Sequence, residues 1–203
     1  MARPRSFDID DALAAATHVF LQRGFDGATL EDLTAAMGVN KPSLYAAFGD
    51  KSALYAKVLG GYAEMAKSAM EAALNSGDTL ERAGHNLLLG ALEVYAPAKG
   101  DHLGCLIATT ATTVAGSDPA VRKAIATFLS EVDRLIEATI ERRFGRDLAA
   151  KGAASVTAVL SATIYSLAIR ARAGIPRKQL LAIAEGAIDT IRIVGKAESG
   201  RAS

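Results

Sequence analysis

The sequence predicts an all-α fold of about nine helices, and three observations carry that expectation. Half of the 203 residues are hydrophobic, yet aromatics make up only 5% and Trp is absent, so the apolar content rests on Ala, Leu, Ile and Val. Ala loses no side-chain entropy in a helix, which tilts such a composition away from sheet. Apolar residues also recur three and four apart along most of the chain, the period of one helix face. Finally, Gly, Asp, Asn, Thr and Ser fall at the ends of those periodic runs, where helices start and stop.

The elements read off in order. Asp8 and Asp11 resemble a capping box with Asp in the usual Glu position; Leu13, Ala16 and Phe20 follow, and Gly24 supplies a stop. After the Asp26-Gly27 turn, Thr29 caps a short helix bearing Leu30, Leu33 and Met37. Gly38 ends it, Val39 bridges, and Asn40 caps a second short helix with Pro42 in its first turn and Leu44 and Phe48 as an apolar pair. Gly49-Asp50 breaks and recaps, opening a long helix along Leu54, Val58, Tyr62, Met65, Ala69 and Leu74. Past Asn75-Ser76-Gly77, Asp78 and Glu81 cap a helix with Leu80, Leu87, Leu88 and Leu92. Pro97 to Gly100 reads as a linker, and Leu103 to Val114 as an apolar helix. Gly116-Ser117-Asp118-Pro119 stops it and caps a long helix with Val121, Ile125, Phe128, Val132, Leu135 and Thr139, ended by Gly145. The last two helices, Ala153–Ala173 and Pro176–Val194, are separated by Gly174-Ile175-Pro176. The small polar tail beyond Gly195 is expected to fray.

Composition narrows the function classes. No segment approaches the roughly 20 uninterrupted apolar residues of a membrane span. The basic start Met1-Ala2-Arg3-Pro4-Arg5 is followed by acids rather than an apolar run, so a secretion signal is not expected. One cysteine, Cys105, excludes an internal disulfide and suits a reducing cytoplasm. His18, His85 and His102 show no metal-ligand spacing, and no phosphate loop or nucleophile elbow is present, so neither an enzyme, a metal site nor a cofactor is expected.

The two short helices have the spacing of a helix-turn-helix, about residues 29–48, whose second helix enters a DNA major groove. Leu30, Leu33, Met37, Val39, Leu44 and Phe48 would pack on Leu13, Ala16 and Phe20. That leaves Lys41, Pro42, Ser43 and Tyr45 facing outward: a cation, a hydroxyl and a phenol, the types DNA contacts use. Thr29 and Lys51, at helix starts, would meet phosphate, and Arg3 and Arg5 would enter a minor groove. Charge is no help, because the first 51 residues hold five basic and seven acidic side chains, a net of minus two. Spacing alone also fits a plain three-helix bundle with a polar surface.

The run Gly24-Phe25, Thr29-Leu30, Leu33, Ala36-Met37-Gly38-Val39, Lys41, Ser43-Leu44-Tyr45, Phe48 and Lys51 resembles the TetR family of bacterial regulators over about fifty residues. The resemblance implies a dimeric, all-helical repressor of a palindromic double-stranded operator, with Lys41, Pro42, Ser43 and Tyr45 in the recognition helix and Thr29 and Lys51 on the backbone. Asn40 stands where the family has Ser or Thr, which preserves the cap and adds a further candidate DNA contact. Ala46-Ala47 replaces the usual aromatic or His pair. Gly104-Cys105-Leu106 with the Asp118-Pro119 cap is similar to one widespread subgroup.

The chain therefore divides into a DNA-binding domain, residues 1–50, and an effector-binding and dimerisation domain, residues 51–203. Leu160, Ile164 and Leu167, with Leu180, Ala184, Ala187, Ile188 and Ile191, form wide stripes on the last two helices and are the expected four-helix dimer interface. A wholly intramolecular core is the alternative. A small apolar effector is expected between the middle helices, with Tyr62, His85, Tyr95, Cys105 and Phe128 as lining candidates that would serve equally as core. His102 and Cys105, three apart near a helix start, would suit a redox- or electrophile-sensing thiol, against which stands the packing role usual for a lone Cys. A helical ligand-binding protein without DNA binding is the remaining rival.

Overall fold

The computed structural model describes residues 7–148 and 152–199 of the chain. Among these the fold is all-α, with α1 (Ile9–Gly27), α2 (Leu30–Met37), α3 (Lys41–Phe48), α4 (Lys51–Ser76) and α5 (Leu80–Tyr95). A π-helical segment (Leu106–Ala111) runs into the single turn α6 (Thr112–Val114), followed by α7 (Pro119–Phe144), a 3₁₀ turn (Gly145–Asp147), α8 (Gly152–Arg172) and α9 (Arg177–Ser199). Nine α-helices and no strand among the described residues match the expected class.

Most helix boundaries fall where side-chain chemistry puts them. The Asp8 carboxylate accepts from the N–H groups of Asp10 and Asp11, Asp50 from Ala53, and Asp118 from Ala120 and Val121. Gly24 does break α1, at φ 70° and ψ 178°, although helix resumes for one turn beyond it. Three readings need correction. The cap of α5 is Thr79, one residue after the expected Asp78. Residues 103–105 are extended or irregular, and the helix after them opens with π geometry. There Gly104 takes φ 71°, and a Cβ on it would stand 2.6 Å from the Ala168 carbonyl of α8, so only glycine fits. Finally, α9 runs to Ser199, past the expected end at Val194.

The first three helices close over their own small core. Phe20, Leu33 and Leu44 have no exposed surface, and burying each stabilises the fold by about 1.5–3 kcal/mol. Tyr55 of α4 joins this core, its ring 4.8 Å from Phe20 and 4.9 Å from Phe25, and its hydroxyl lies 3.4 Å from Thr110 in the π-helical segment. Arg172, at the end of α8, donates to the Leu21 and Gln22 carbonyls just before the Gly24 break. Tyr55 and Arg172 thus tie the N-terminal helices to the rest of the chain.

In the body, α5 packs between α4 on one side and the α8–α9 pair on the other, and α7 bridges α4 and α8. This arrangement corrects the expected dimer interface. Leu160, Ile164, Leu167, Leu180, Ala184, Ile188 and Ile191 are all buried within the single chain, and Ala187 is half-buried. A Cβ on Gly84 of α5 would meet Ile188 at 3.2 Å and Leu160 at 3.4 Å, which shows what these stripes cover. The wider and bulkier stripe of each helix is spent on its own chain. A second stripe of small and apolar residues faces outward: Ala158, Ala162 and Ile169 on α8, and Gly186, Thr190 and Ile193 on α9. Because it carries apolar residues on both sides, α8 is long and apolar enough to cross a membrane by composition, and half of it is buried inside the chain. The reading that no segment comes near a span is corrected to that extent. Met65, expected in the buried row of α4, is exposed.

Candidate nucleic-acid interface

The outward face of α3 is built by its turn and its cap. Gly38 ends α2 in the left-handed region at φ 65°, and the Val39 N–H returns to the Thr34 carbonyl, reversing the chain within three residues. The Asn40 side chain then accepts from the Ser43 N–H at 2.8 Å, starting an eight-residue helix too short to persist alone. Leu44 and Phe48 anchor α3 inward, with the Phe48 ring 6.2 Å from Phe7. Asn40, Lys41, Pro42 and Tyr45 are exposed and Ser43 half-buried, so one short surface carries the whole outward set read from the sequence. Tyr45 is 48% exposed, large for a phenol with no partner to cover it.

Several of the expected contacts are already engaged within the chain. The Thr29 hydroxyl and N–H both donate to the Asp32 carboxylate, at 2.8 and 3.1 Å, while the hydroxyl accepts from the Asp32 N–H. Thr29 therefore closes a capping box, and its donors do not stand free for phosphate as the sequence reading supposed. Those two Thr29 bonds hold the Asp32 carboxyl below its usual range, helped by Arg23 at 3.0 Å. The Lys41 ammonium is bonded to Glu31 of α2, and the Lys51 ammonium lies 4.5 Å above the Phe25 ring. Arg3 and Arg5 lie outside the described residues.

Glu31, Asp32 and Arg172 carry no weight in the sequence reading. Asp32 had a signal, since Thr-x-x-Asp is a capping pattern. Glu31 meets Lys41 across ten residues and a turn, and Arg172 reaches α1 from 150 residues away; no periodicity announces either.

The five expected effector residues do not converge on one place. A cavity of about 640 Å³ opens between α4 and α7, lined by Leu59, Gly60, Ala63, Ile107, Val121 and Phe128. Of the five only Phe128 reaches it. Glu64 and Glu131 stand at its edge, both bonded to Lys67 at 2.7 Å, and Asp118 and Lys123 also line it, so the rim charges are paired with one carboxylate in excess. Tyr62 and Tyr95 instead line a groove of about 140 Å³ between α4 and α5, beside Met65. His85 faces away toward α9, its Nε2 4.0 Å from Glu185.

Cys105 is buried, only 2% exposed, against the Tyr62 and Tyr95 hydroxyls. Burial, together with the neighbouring thiol, pushes both phenols above their ordinary range. His102 lines an open groove with Gln22, Asp101 and Arg172 to which Cys105 does not belong. The paired, accessible thiol that a sensor needs is not formed, because the extended residues before the π-helical segment turn the two side chains to different environments.

The fold and this surface have known counterparts. Residues 12–58 match the family model described as bacterial regulatory proteins, tetR family. The chain is 29% identical to the HTH-type transcriptional repressor BdcR of Escherichia coli (strain K12) over 192 residues, covering 95% of this chain and 93% of that protein. It is 26% identical to the HTH-type transcriptional repressor ComR of the same strain, over 90% of this chain and 88% of that one. Its backbone is similar, at TM-score 0.82 and 32% identity, to a cysteine mutant of the TetR family transcriptional regulator CifR complexed with 26-base-pair double-strand operator DNA. That match covers 92% of this chain and 98% of CifR.

Proposed function

We propose that this chain, which belongs to the TetR family of bacterial regulatory proteins, represses transcription as a homodimer on a palindromic DNA operator. The observation that carries the reading is the outward face of α3, where Asn40, Lys41, Pro42, Ser43 and Tyr45 stand together on a capped helix held by Leu44 and Phe48. A cation, hydroxyl and phenol on one helix suit phosphate and base edges in a major groove. The repressors BdcR and ComR, and CifR in complex with operator DNA, support the same reading.

Two subunits are required because one eight-residue helix covers too few base pairs for an operator. We assign the pairing to the outward stripes of α8 and α9, whose small residues let four helices approach closely. Residues 1–50 serve as the reading head and residues 51–203 as the effector-binding and dimerisation body, acting together in the cytoplasm.

A small, mostly apolar effector fits the α4–α7 cavity, whose wall is aliphatic and aromatic and whose rim carboxylates Glu64 and Glu131 are both engaged by Lys67. α4 begins only two residues after α3 ends, so a ligand that shifts α4 also shifts the reading surface. DNA flanking the chain's own gene, tested as a duplex by fluorescence anisotropy, checks the core of the proposal. Saturable, salt-dependent binding is expected, weakened by about 1–3 kcal/mol in Tyr45→Ala with a change in base preference. In Lys41→Ala the affinity falls evenly across sequences, without the change in base preference. Equal binding by all three proteins would remove α3 from the interface.

A further inference from the structure

We infer that Glu31 is a positioning residue for operator binding: it holds the Lys41 ammonium inside the reading head, so that Lys41 reaches a phosphate only by leaving Glu31. The inference rests on the DNA-binding reading above. Glu31 lies in the first turn of α2 and Lys41 is the first residue of α3, and the two are ion-paired across the turn. Both are open to solvent, at 70% and 49% of their side-chain surface. The bond from Lys41 holds the Glu31 carboxyl below its usual range, and the same bond raises the Lys41 ammonium, so both stay charged at neutral pH.

A carboxylate paired with an ammonium is a small copy of the phosphate contact that Lys41 would make on DNA. Glu31, Lys41, Pro42 and Tyr45 are all exposed, so a phosphate that takes the Lys41 ammonium at the start of α3 has to displace the Glu31 carboxylate from it. Apart from the favourable charge it brings to the first turn of α2, Glu31 has one visible engagement, with Lys41. The cap of α2 is complete in Thr29 and Asp32, and among the described residues the Glu31 side chain bonds only Lys41 of α3. The negative balance of the first 51 residues follows a pattern here, since Glu31 and Asp32 both neutralise groups of the head itself. Because an exposed pair is weak and screened by salt, DNA displaces Glu31 instead of being excluded. The outcome is an affinity held down and a salt dependence made shallower.

The test uses the full-length protein and a 30-base-pair duplex enriched by it from a random-sequence library. Glu31→Gln keeps the shape and removes the charge. In 0.1 M salt it should bind about threefold tighter or better, with a log–log salt slope steeper by about 0.9. The same change in a Lys41→Gln background should lose most of that gain, because Glu31 acts through Lys41. A gain as large in both backgrounds overturns the inference, since Glu31 would then act by bare repulsion. No gain, or weaker binding, by Glu31→Gln also overturns it while leaving the DNA-binding reading intact. Failure of the native chain to enrich any sequence overturns that reading, and this one with it.

Discussion

The reading head and the α8–α9 body are made of the same material, short-sided apolar stripes on capped helices, yet they spend it differently. In the head each helix has one apolar side and buries it once: Leu33 and Met37 of α2, and Leu44 and Phe48 of α3, face inward, and what remains faces solvent. In the body each helix has two. α8 turns Leu160, Ile164 and Leu167 onto its own chain and still presents Ala158, Ala162 and Ile169 outward. A helix with one stripe tells which side is the surface; a helix with two does not.

The sharpest way to break that comparison is to charge the outward stripe. Ala162→Glu on α8 should leave the helix content and melting temperature of the chain nearly unchanged, while sedimentation equilibrium reports a monomer. Operator affinity then falls by about 100-fold or more, because the second reading head no longer binds as part of one molecule. Ile164→Ala, two residues away on the buried stripe, should do the reverse: a loss of about 2–5 kcal/mol of stability with the dimer retained. An Ala162→Glu protein that stays dimeric would move the interface elsewhere.

The same asymmetry governs what was legible from residues alone. In the head, the run from Thr29 to Phe48 has unambiguous caps, a left-handed glycine and a single apolar side, so its helices and outward set were readable. The pairing across the turn was not, because Glu31–Lys41 depends on side-chain reach over ten residues, whereas Thr29–Asp32 had its signal in the Thr-x-x-Asp spacing. In the body the helices were readable and their facing was not: the stripes assigned to a partner cover α5 instead. The π-helical segment was hidden for another reason. Its apolar residues and threonines suit α and π winding equally, and the close approach of Gly104 to the Ala168 carbonyl just before it joins residues 64 apart, which no period shows.

Arg172 joins the two regions and offers a smaller perturbation. Its guanidinium serves the carbonyls of Leu21 and Gln22, just ahead of the break at Gly24, and it also reaches Leu103 at 3.5 Å. Hydrogen bonds from a charged donor of this kind contribute about 1.5–3 kcal/mol. Arg172→Ala should therefore loosen the head without unfolding the body. Affinity for the best operator falls about tenfold, an effect of about 1.4 kcal/mol. A head held less firmly also tolerates half-sites moved apart by one base pair better than the native protein does, measured as the ratio of the two affinities. Were that ratio unchanged, Arg172 would be a local cap and not a strut between the regions.

The finest distinction removes the same bond from each region. Asn40 caps α3 and Thr79 caps α5, each accepting one backbone N–H, at 2.8 Å from Ser43 and 3.2 Å from Arg82. Replacing either by Ala costs about 1 kcal/mol in helix stability. The consequences differ because the helices do. α5 has sixteen residues packed on α4, α8 and α9, so the loss of one cap is absorbed by burial, and Thr79→Ala should lower the melting temperature slightly with operator binding intact. α3 has eight residues and a thin contact with its neighbours, so its first turn depends on the cap, and that turn carries Lys41, Pro42 and Ser43. Asn40→Ala should accordingly weaken operator binding about fivefold at a similar cost in melting temperature, since about 1 kcal/mol of ordering must be recovered on the DNA. Amide exchange at Ser43 and Leu44, faster in Asn40→Ala and unchanged in Thr79→Ala, would locate the difference in α3. Equal effects of the two substitutions on DNA binding would mean that the cap serves only the global fold, and that α3 is held as firmly as the body.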